Sequence, residues 1–237
     1  MSRWTLVRHA QASFFAADYD RLSAQGEAQA RALAAHWLDE GRVFDEVWIG
    51  PRSRHRETAA VVGEAYRAAG RDWPEADEIA GLDEHSVDRL VALERRALAD
   101  RFPELRPLAD SYDAAAADAD RARAFQRLFE AIARRWARGE AAGSETYAAF
   151  RARVHAAIER VLARPGAGRR AVAFTSVGPI SVILGRALRC PDEVALETGW
   201  RLWNASVTEL VFSGSRVTLD VFNSIAHLPH ASDRTYR

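Results

Sequence analysis

The stretch Arg3-Trp4-Thr5-Leu6-Val7-Arg8-His9-Ala10-Gln11-Ala12-Ser13 decides how the rest of the chain reads. Residues of strand-forming character run into an arginine–histidine pair and then into small, flexible residues. A strand that delivers a cation and an imidazole to its carboxyl end predicts an α/β sheet with its site there, because ligands of open sheets bind outside the carboxyl ends of the strands. Arg grips phosphate with a planar, permanently charged fork, and a neutral imidazole can attack phosphorus. Arg-His is also a common surface pair, so the other segments have to agree.

Outward from that strand, Ser23 is an N-cap candidate, and Ala30, Leu33, Ala34, Trp37 and Leu38 form one apolar helical stripe that Gly41 stops. Asp45 to Ile49 reads as a short buried strand. Arg52-Ser53-Arg54-His55-Arg56-Glu57-Thr58-Ala59 then opens a second helix, with arginines where helix-start amides attract anions. An ordinary solvated basic helix start fits that stretch equally well.

Between about Asp83 and Gly143 no strand pattern appears. Leu90, Leu93 and Ala97 predict one helix, and Phe125, Leu128, Phe129, Ile132 and Trp136 a longer one beginning near the alanine run at Asp113–Asp118. Ser144 is the expected cap of the next helix. Ala171 to Thr175 reads as a buried strand, Ser176-Val177-Gly178-Pro179 as a helix entry with Pro179 in the first position, and Val207–Phe212 with Val217–Phe222 as a hairpin. The expected fold is a three-layer α/β sandwich. A mostly parallel central sheet ends in an edge hairpin strand, helices cover both faces, and residues 85–143 form a helical insertion, or cap, within one domain spanning 1–237. Such an insertion suits a specificity lid.

Composition narrows the function classes. The 237 residues carry 48% hydrophobic residues, enough for a large core, and 33 basic against 33 acidic residues. That balance favours neither nucleic acid nor an anionic membrane as partner. The single cysteine, Cys190, leaves no internal disulfide and no Cys-based zinc site. No signal-peptide layout and no apolar run of about 18 residues is present, so a cytoplasmic location is expected.

Several segments carry a shared resemblance. They are Leu6-Val7-Arg8-His9-Ala10, Leu22-Ser23-Ala24-Gln25-Gly26-Glu27-Ala28-Gln29-Ala30, Gly50-Pro51-Arg52-Ser53-Arg54-His55-Arg56-Glu57-Thr58-Ala59, Asn204-Ala205-Ser206-Val207-Thr208 and Asn223 to Leu228. In order and spacing they resemble the histidine phosphatase superfamily, in its phosphoglycerate-mutase-like branch. The corresponding family patterns are Leu-Val-Arg-His-Gly, Leu-Thr/Ser-x-x-Gly-x-x-Gln-Ala and Ser-Pro-x-x-Arg-Ala-x-x-Thr-Ala, followed by two closing strands. The resemblance implies a phosphohistidine formed on His9, Arg8 and Arg54 as phosphate clamps, and Glu84 as proton donor, with Asp83 its rival. Their positive charges would keep His9 neutral. An unperturbed Glu is only roughly 0.2% protonated at pH 7, so Glu84 needs burial or an incoming phosphate to act as an acid.

The pattern breaks after the strand ending at Thr175. Where the family has a second histidine in Ser-His-Gly-Gly, this chain has Ser176, followed by Val177. Losing one preorganised donor typically costs about 10²–10³ in rate. A serine hydroxyl can still donate, and the amides near Val177 remain an anion site. His55 and His85 lie beside matched positions and offer replacements, but neither sits where the family's histidine does, and each reads as a surface or packing histidine. His227 and His230 are discounted as a metal pair. Phe15 stands about where many phosphoglycerate mutases carry a substrate-contacting Asn, which disfavours a mutase.

Two functions follow. The first is a cofactor- and metal-independent phosphomonoester hydrolase, acting on a small phosphorylated metabolite or a phosphoprotein. The second is a phosphate- or phospholigand-binding module of the same fold that has lost turnover. The oligomeric state is left open.

Overall fold

The computed structural model describes residues 1–13 and 20–236, so Phe15 lies outside the described residues. The chain runs through β1 (Ser2–Arg8), α1 (Ala24–Asp39), β2 (Glu46–Ile49), α2 (Ser53–Ala68) and β3 (Ala76–Glu78). Four helices follow: α3 (Val87–Arg101), α4 (Arg106–Ala114), α5 (Asp118–Ala137) and α6 (Tyr147–Leu162). The chain closes with β4 (Arg170–Thr175), α7 (Val177–Leu188), α8 (Asp192–Gly199), β5 (Val207–Ser213) and β6 (Arg216–Ser224).

The sheet order is β3-β2-β4-β1-β5-β6. Strands β3, β2, β4 and β1 run parallel, while β5 runs antiparallel to both β1 and β6. This is the mostly parallel sheet with a hairpin edge that the sequence predicts. Its central strands are apolar throughout because both faces are covered. Val7, Val47, Ile49, Val172 and Phe174 share one core with Leu33 and Trp37 of α1 and Val62 and Tyr66 of α2. On the other side of the pleat, Trp48 lies under the guanidinium groups of Arg160 and Arg164, at 5.5 and 4.4 Å from its ring centre.

Two compact units divide the chain: 1–84 together with 153–237, and 85–152. In the second, the His85 ring packs among Phe129, Trp136 and Phe150, with ring centres 5.2–5.9 Å apart. This unit runs past Gly143 to Ala152 because Tyr147 and Phe150 pack on Trp136.

Ser23 caps α1 by accepting from the Gly26 amide at 3.0 Å, and Gly41 follows its end at φ 65°. Other local expectations need correction. The alanine run lies at a break: α4 ends at Ala114 and α5 starts at Asp118. Thr146, not Ser144, caps α6, its hydroxyl accepting from the Ala149 amide at 3.2 Å. Pro179 is the third residue of α7 rather than the first, still in the turn whose amides have no helical partner. β3 and α8 carried no periodic signal strong enough to predict them.

One buried ion pair ties the amino end of the sheet together. Arg169 and Glu46 are 7% and 9% exposed, and the guanidinium meets both carboxylate oxygens, at 2.5 and 2.8 Å. Arg169 also donates to the carbonyls of Val161 and Arg164, each at 2.9 Å, and Trp48 Nε1 donates to Glu46 at 3.2 Å. Removing one partner of such a pair strands the other charge in the interior. Arg169→Ala is therefore expected to lower the free energy of unfolding by about 3–5 kcal/mol, read from the urea midpoint. A loss under about 1 kcal/mol would show that the pair is dispensable.

Candidate active site

The carboxyl ends of three neighbouring strands lie level. Arg8 pairs with Thr175, and Ile49 with Phe174, so His9, Gly50 and Ser176 are the first residues beyond the sheet. The backbone of His9 is held on both sides. Its amide donates to the Thr175 carbonyl at 2.8 Å, and its carbonyl accepts from the Ala205 amide and Asn204 Nδ2, each at 3.2 Å. The next amide, Ala10, donates to the Thr58 hydroxyl at 3.1 Å, which itself donates to the Arg54 carbonyl at 2.6 Å. Gly26 is required here by close approach, since a Cβ on it would meet the Gln11 carbonyl oxygen at 2.1 Å. Gln29 Oε1 then accepts from the Gln11 amide at 3.0 Å.

His9 is 8% exposed. Its Nδ1 lies 2.8 Å from the Ala10 carbonyl. A carbonyl only accepts, so Nδ1 carries the proton and Nε2 of the neutral ring holds the lone pair. Burial, then the charges of Arg54 and Arg8 and the ring of His55, hold its pKa well below the ordinary 6.5, against a small upward pull from the Ala10 bond. The structure thus brings His9, Arg8 and Arg54 together around one neutral imidazole.

Each guanidinium also has contacts within the protein. Arg8 is 7% exposed and donates to the carbonyls of Leu202 and Tyr236. Arg54 is 5% exposed and pairs with Asp20 at 2.6 Å, whose other oxygen accepts from the Ser53 amide at 2.8 Å. One carboxylate therefore caps the amino end of α2 and pairs with Arg54 there, a role that the sequence does not announce.

The two acid candidates separate by their partners. Asp83 is bonded to Arg52 and to the Glu84 amide. Half-buried Glu84 places Oε1 3.0 Å from the Gly178 amide, at the start of α7. That amide adjoins Val177, which is half-buried, and Ser176, which is fully buried. The Ser176 hydroxyl lies 2.6 Å from His55 Nε2. His55 is not a surface histidine: it is 0% exposed, with its ring centre 5.8 Å from that of His9. The α2 residue next to Arg54 turns inward because Gly50 leaves room, a Cβ there falling 2.4 Å from His55 Nδ1. The signal lay in the Gly50–His55 combination, which stands where the family pattern quoted above has Ser and Ala.

Three buried histidines make the fold acid-sensitive. Burial first, then charges from Arg54 and Arg52, hold His55 well below 6.5, and burial with the neighbouring His36 takes His227 down to about 4. The unfolded chain takes up protons at these sites below about pH 6.5 and the native chain does not, so native stability is complete above that pH and falls below it. The urea midpoint is expected to decline steadily from pH 6.5 towards pH 4, and His227→Gln to flatten part of that slope. A midpoint constant from pH 7 to pH 4.5 would contradict the neutral assignment.

Among the described residues, no helix is long and apolar enough to cross a membrane. Comparison with curated protein sequences gives no match. Among solved structures, the chain is similar to the mycobacterial glucosyl-3-phosphoglycerate phosphatase, with TM-score 0.65, 22% identity, and 94% and 99% of the two chains covered. It is similar to alpha-ribazole phosphatase of Shigella flexneri at TM-score 0.60 and 20% identity, covering 94% and 96%. It is also similar to phosphoserine phosphatase of Entamoeba histolytica, at TM-score 0.62 and 17% identity, covering 96% and 100%. At these identities the likeness is one of fold. The model of the histidine phosphatase superfamily (branch 1) matches residues 4–120 and 114–225, and the chain belongs to that superfamily.

Proposed function

We propose that the chain is a phosphomonoester phosphatase that works through a phosphohistidine on His9. The observation that carries this reading is the state of that ring: neutral, with Nδ1 committed to the Ala10 carbonyl and two arginines beside it. In the first step Nε2 of His9 forms a bond to phosphorus as the bond to the leaving oxygen breaks, and Glu84 gives that oxygen its proton. In the second, water attacks phosphorus, Glu84 takes back the water's proton, and the N–P bond breaks to return a neutral imidazole. Arg8 and Arg54 gather the charge spread over the equatorial oxygens. Glu84 is preferred to Asp83 because the Asp83 carboxylate is held by Arg52 while that of Glu84 sits at the head of α7. The Val177 amide at the head of α7 completes the anion site.

The similar structures are phosphatases named for glucosyl-3-phosphoglycerate, phosphoserine and alpha-ribazole. A small phosphorylated metabolite is the substrate class proposed here, and cofactor-free hydrolysis the reaction, with a mutase disfavoured. A second reading rests on a specific feature: Ser176 stands where the family pattern has its second histidine, as would suit a module that binds phosphate or a phospholigand without turnover.

The test is hydrolysis of an aryl phosphate by the purified chain. Turnover is expected, and His9→Ala is expected to abolish it along with an acid-labile, alkali-stable phosphoenzyme in quenched reactions. Tight orthovanadate binding with no turnover across a panel of phosphomonoesters would favour the binding module. The Asp20 carboxylate takes an amide and a guanidinium that a phosphoryl oxygen would use. Asp20→Asn is accordingly expected to tighten orthophosphate inhibition by about three- to tenfold, and unchanged or weaker inhibition would remove Asp20 from the anion site.

A further inference from the structure

The departures from the family pattern at positions 50, 55 and 176 fall in one place. In the pattern these positions read Ser, Ala and His; here they are Gly50, His55 and Ser176. The three contact one another through a single ring: His55 Nε2 lies 2.6 Å from Ser176 Oγ, and Nδ1 lies where a Cβ on residue 50 would come within 2.4 Å. Serine is among the best helix-capping residues, and Ser176 holds the N-cap position of α7 in extended backbone. Among the described residues, though, its hydroxyl makes no capping bond to α7. Glu84 takes the Gly178 amide instead, at 3.0 Å, and the serine hydroxyl is spent on the imidazole. His55 itself is fully buried in the third position of α2, beside Arg54, with its ring centre 5.8 Å from that of His9.

We propose that His55 is the second functional imidazole of this site, supplied from α2 instead of from the end of β4, and that Ser176 is its anchor. The proposal rests on the phosphatase reading and deepens it. Neither His55 nitrogen is directed at solvent, and Ser176 is 0% exposed, so the pair does not itself hold a phosphoryl oxygen. His55 acts as a positioning residue. Its bond to Ser176 ties the start of α2, which carries Arg54, to the start of α7, which carries the Val177 and Gly178 amides and receives Glu84. Its ring packs beside His9 and limits how that imidazole can turn. Small changes in such a brace misplace several groups at once, and the cost falls on the transition state more than on ground-state binding.

The closing experiment uses His55→Ala, His55→Phe, Ser176→Ala, the double alanine variant His55→Ala/Ser176→Ala and the exchange variant His55→Ala/Ser176→His, each with an aryl phosphate. His55→Ala is expected to lower kcat about 10²-fold with KM changed less than about threefold. His55→Phe, which keeps an aromatic ring and loses the nitrogens, should lose as much. Ser176→Ala should add nothing to the His55→Ala loss, because both break one contact, and the exchange variant should recover kcat at least tenfold over His55→Ala. Wild-type kcat in His55→Phe, or additive losses in the double alanine variant, would overturn the proposal, since a space-filling role predicts both. If the single variants do not fold, the wild-type chain decides by NMR of its imidazole nitrogens. Orthovanadate should shift the His55 and His9 resonances together, and movement of His9 alone overturns the proposal. Absence of hydrolysis by the wild-type chain instead counts against the phosphatase reading, which keeps the two failures apart.

Discussion

The arrangement depends on how one short turn, Arg8-His9-Ala10, is nailed down. A turn at the end of a parallel strand has spare backbone groups on both sides, and each that is buried must find a partner. Here the partners come from elements far apart in sequence: Thr175 at the end of β4, Ala205 and Asn204 before β5, and Thr58 inside α2. Each bond is ordinary in strength, worth about 1 kcal/mol net. Together they leave the His9 main chain one position, and the Nδ1 bond to Ala10 then leaves the ring one tautomer. Motif residues with no chemistry of their own, Gly26 and Gln29 among them, are explained by the same turn, because they let α1 approach Gln11 and bond it.

The second constraint is charge. Two guanidinium groups that are nearly buried would be costly to hold next to each other without acceptors. The protein places carbonyls of Leu202 and Tyr236 on Arg8 and the Asp20 carboxylate on Arg54. Both guanidinium charges still reach the His9 ring, that of Arg54 more strongly than that of Arg8. What an anion entering beside His9 gains from Arg54 depends on how readily Asp20 gives way.

Much of this was legible in the sequence, and the misses have physical reasons. Apolar strands buried on both faces and helices with a clear stripe, such as α1 and α5, declare themselves through periodicity. β3 does not: Ala76-Asp77-Glu78 is a three-residue edge strand of polar character, defined only by its pairing with β2. The alanine run misleads because alanine favours helix on either side of a break, and only the chain reversal between α4 and α5 places the break there. In the site, Arg8, His9 and Arg54 could be grouped because they sit at motif positions. Asp20 and His55 could not, since their roles arise from reach across the sheet ends and not from spacing along the chain.

His55 also shows how a ring from elsewhere in the chain can come to lie beside a position where the motif residue is missing. Positions 55 and 176 are 121 residues apart, yet the end of β2 and the end of β4 are adjacent strands in register. A side chain leaving the first turn of the helix after either strand enters the same small volume. An imidazole at position 55 needs a small side chain at position 176 and cleared space at position 50. Ser176 and Gly50 meet those two conditions, and Ser176 adds a hydrogen-bond partner that alanine would lack. The placement is therefore a packing problem with a local solution, and the buried, neutral ring beside His9 is its outcome.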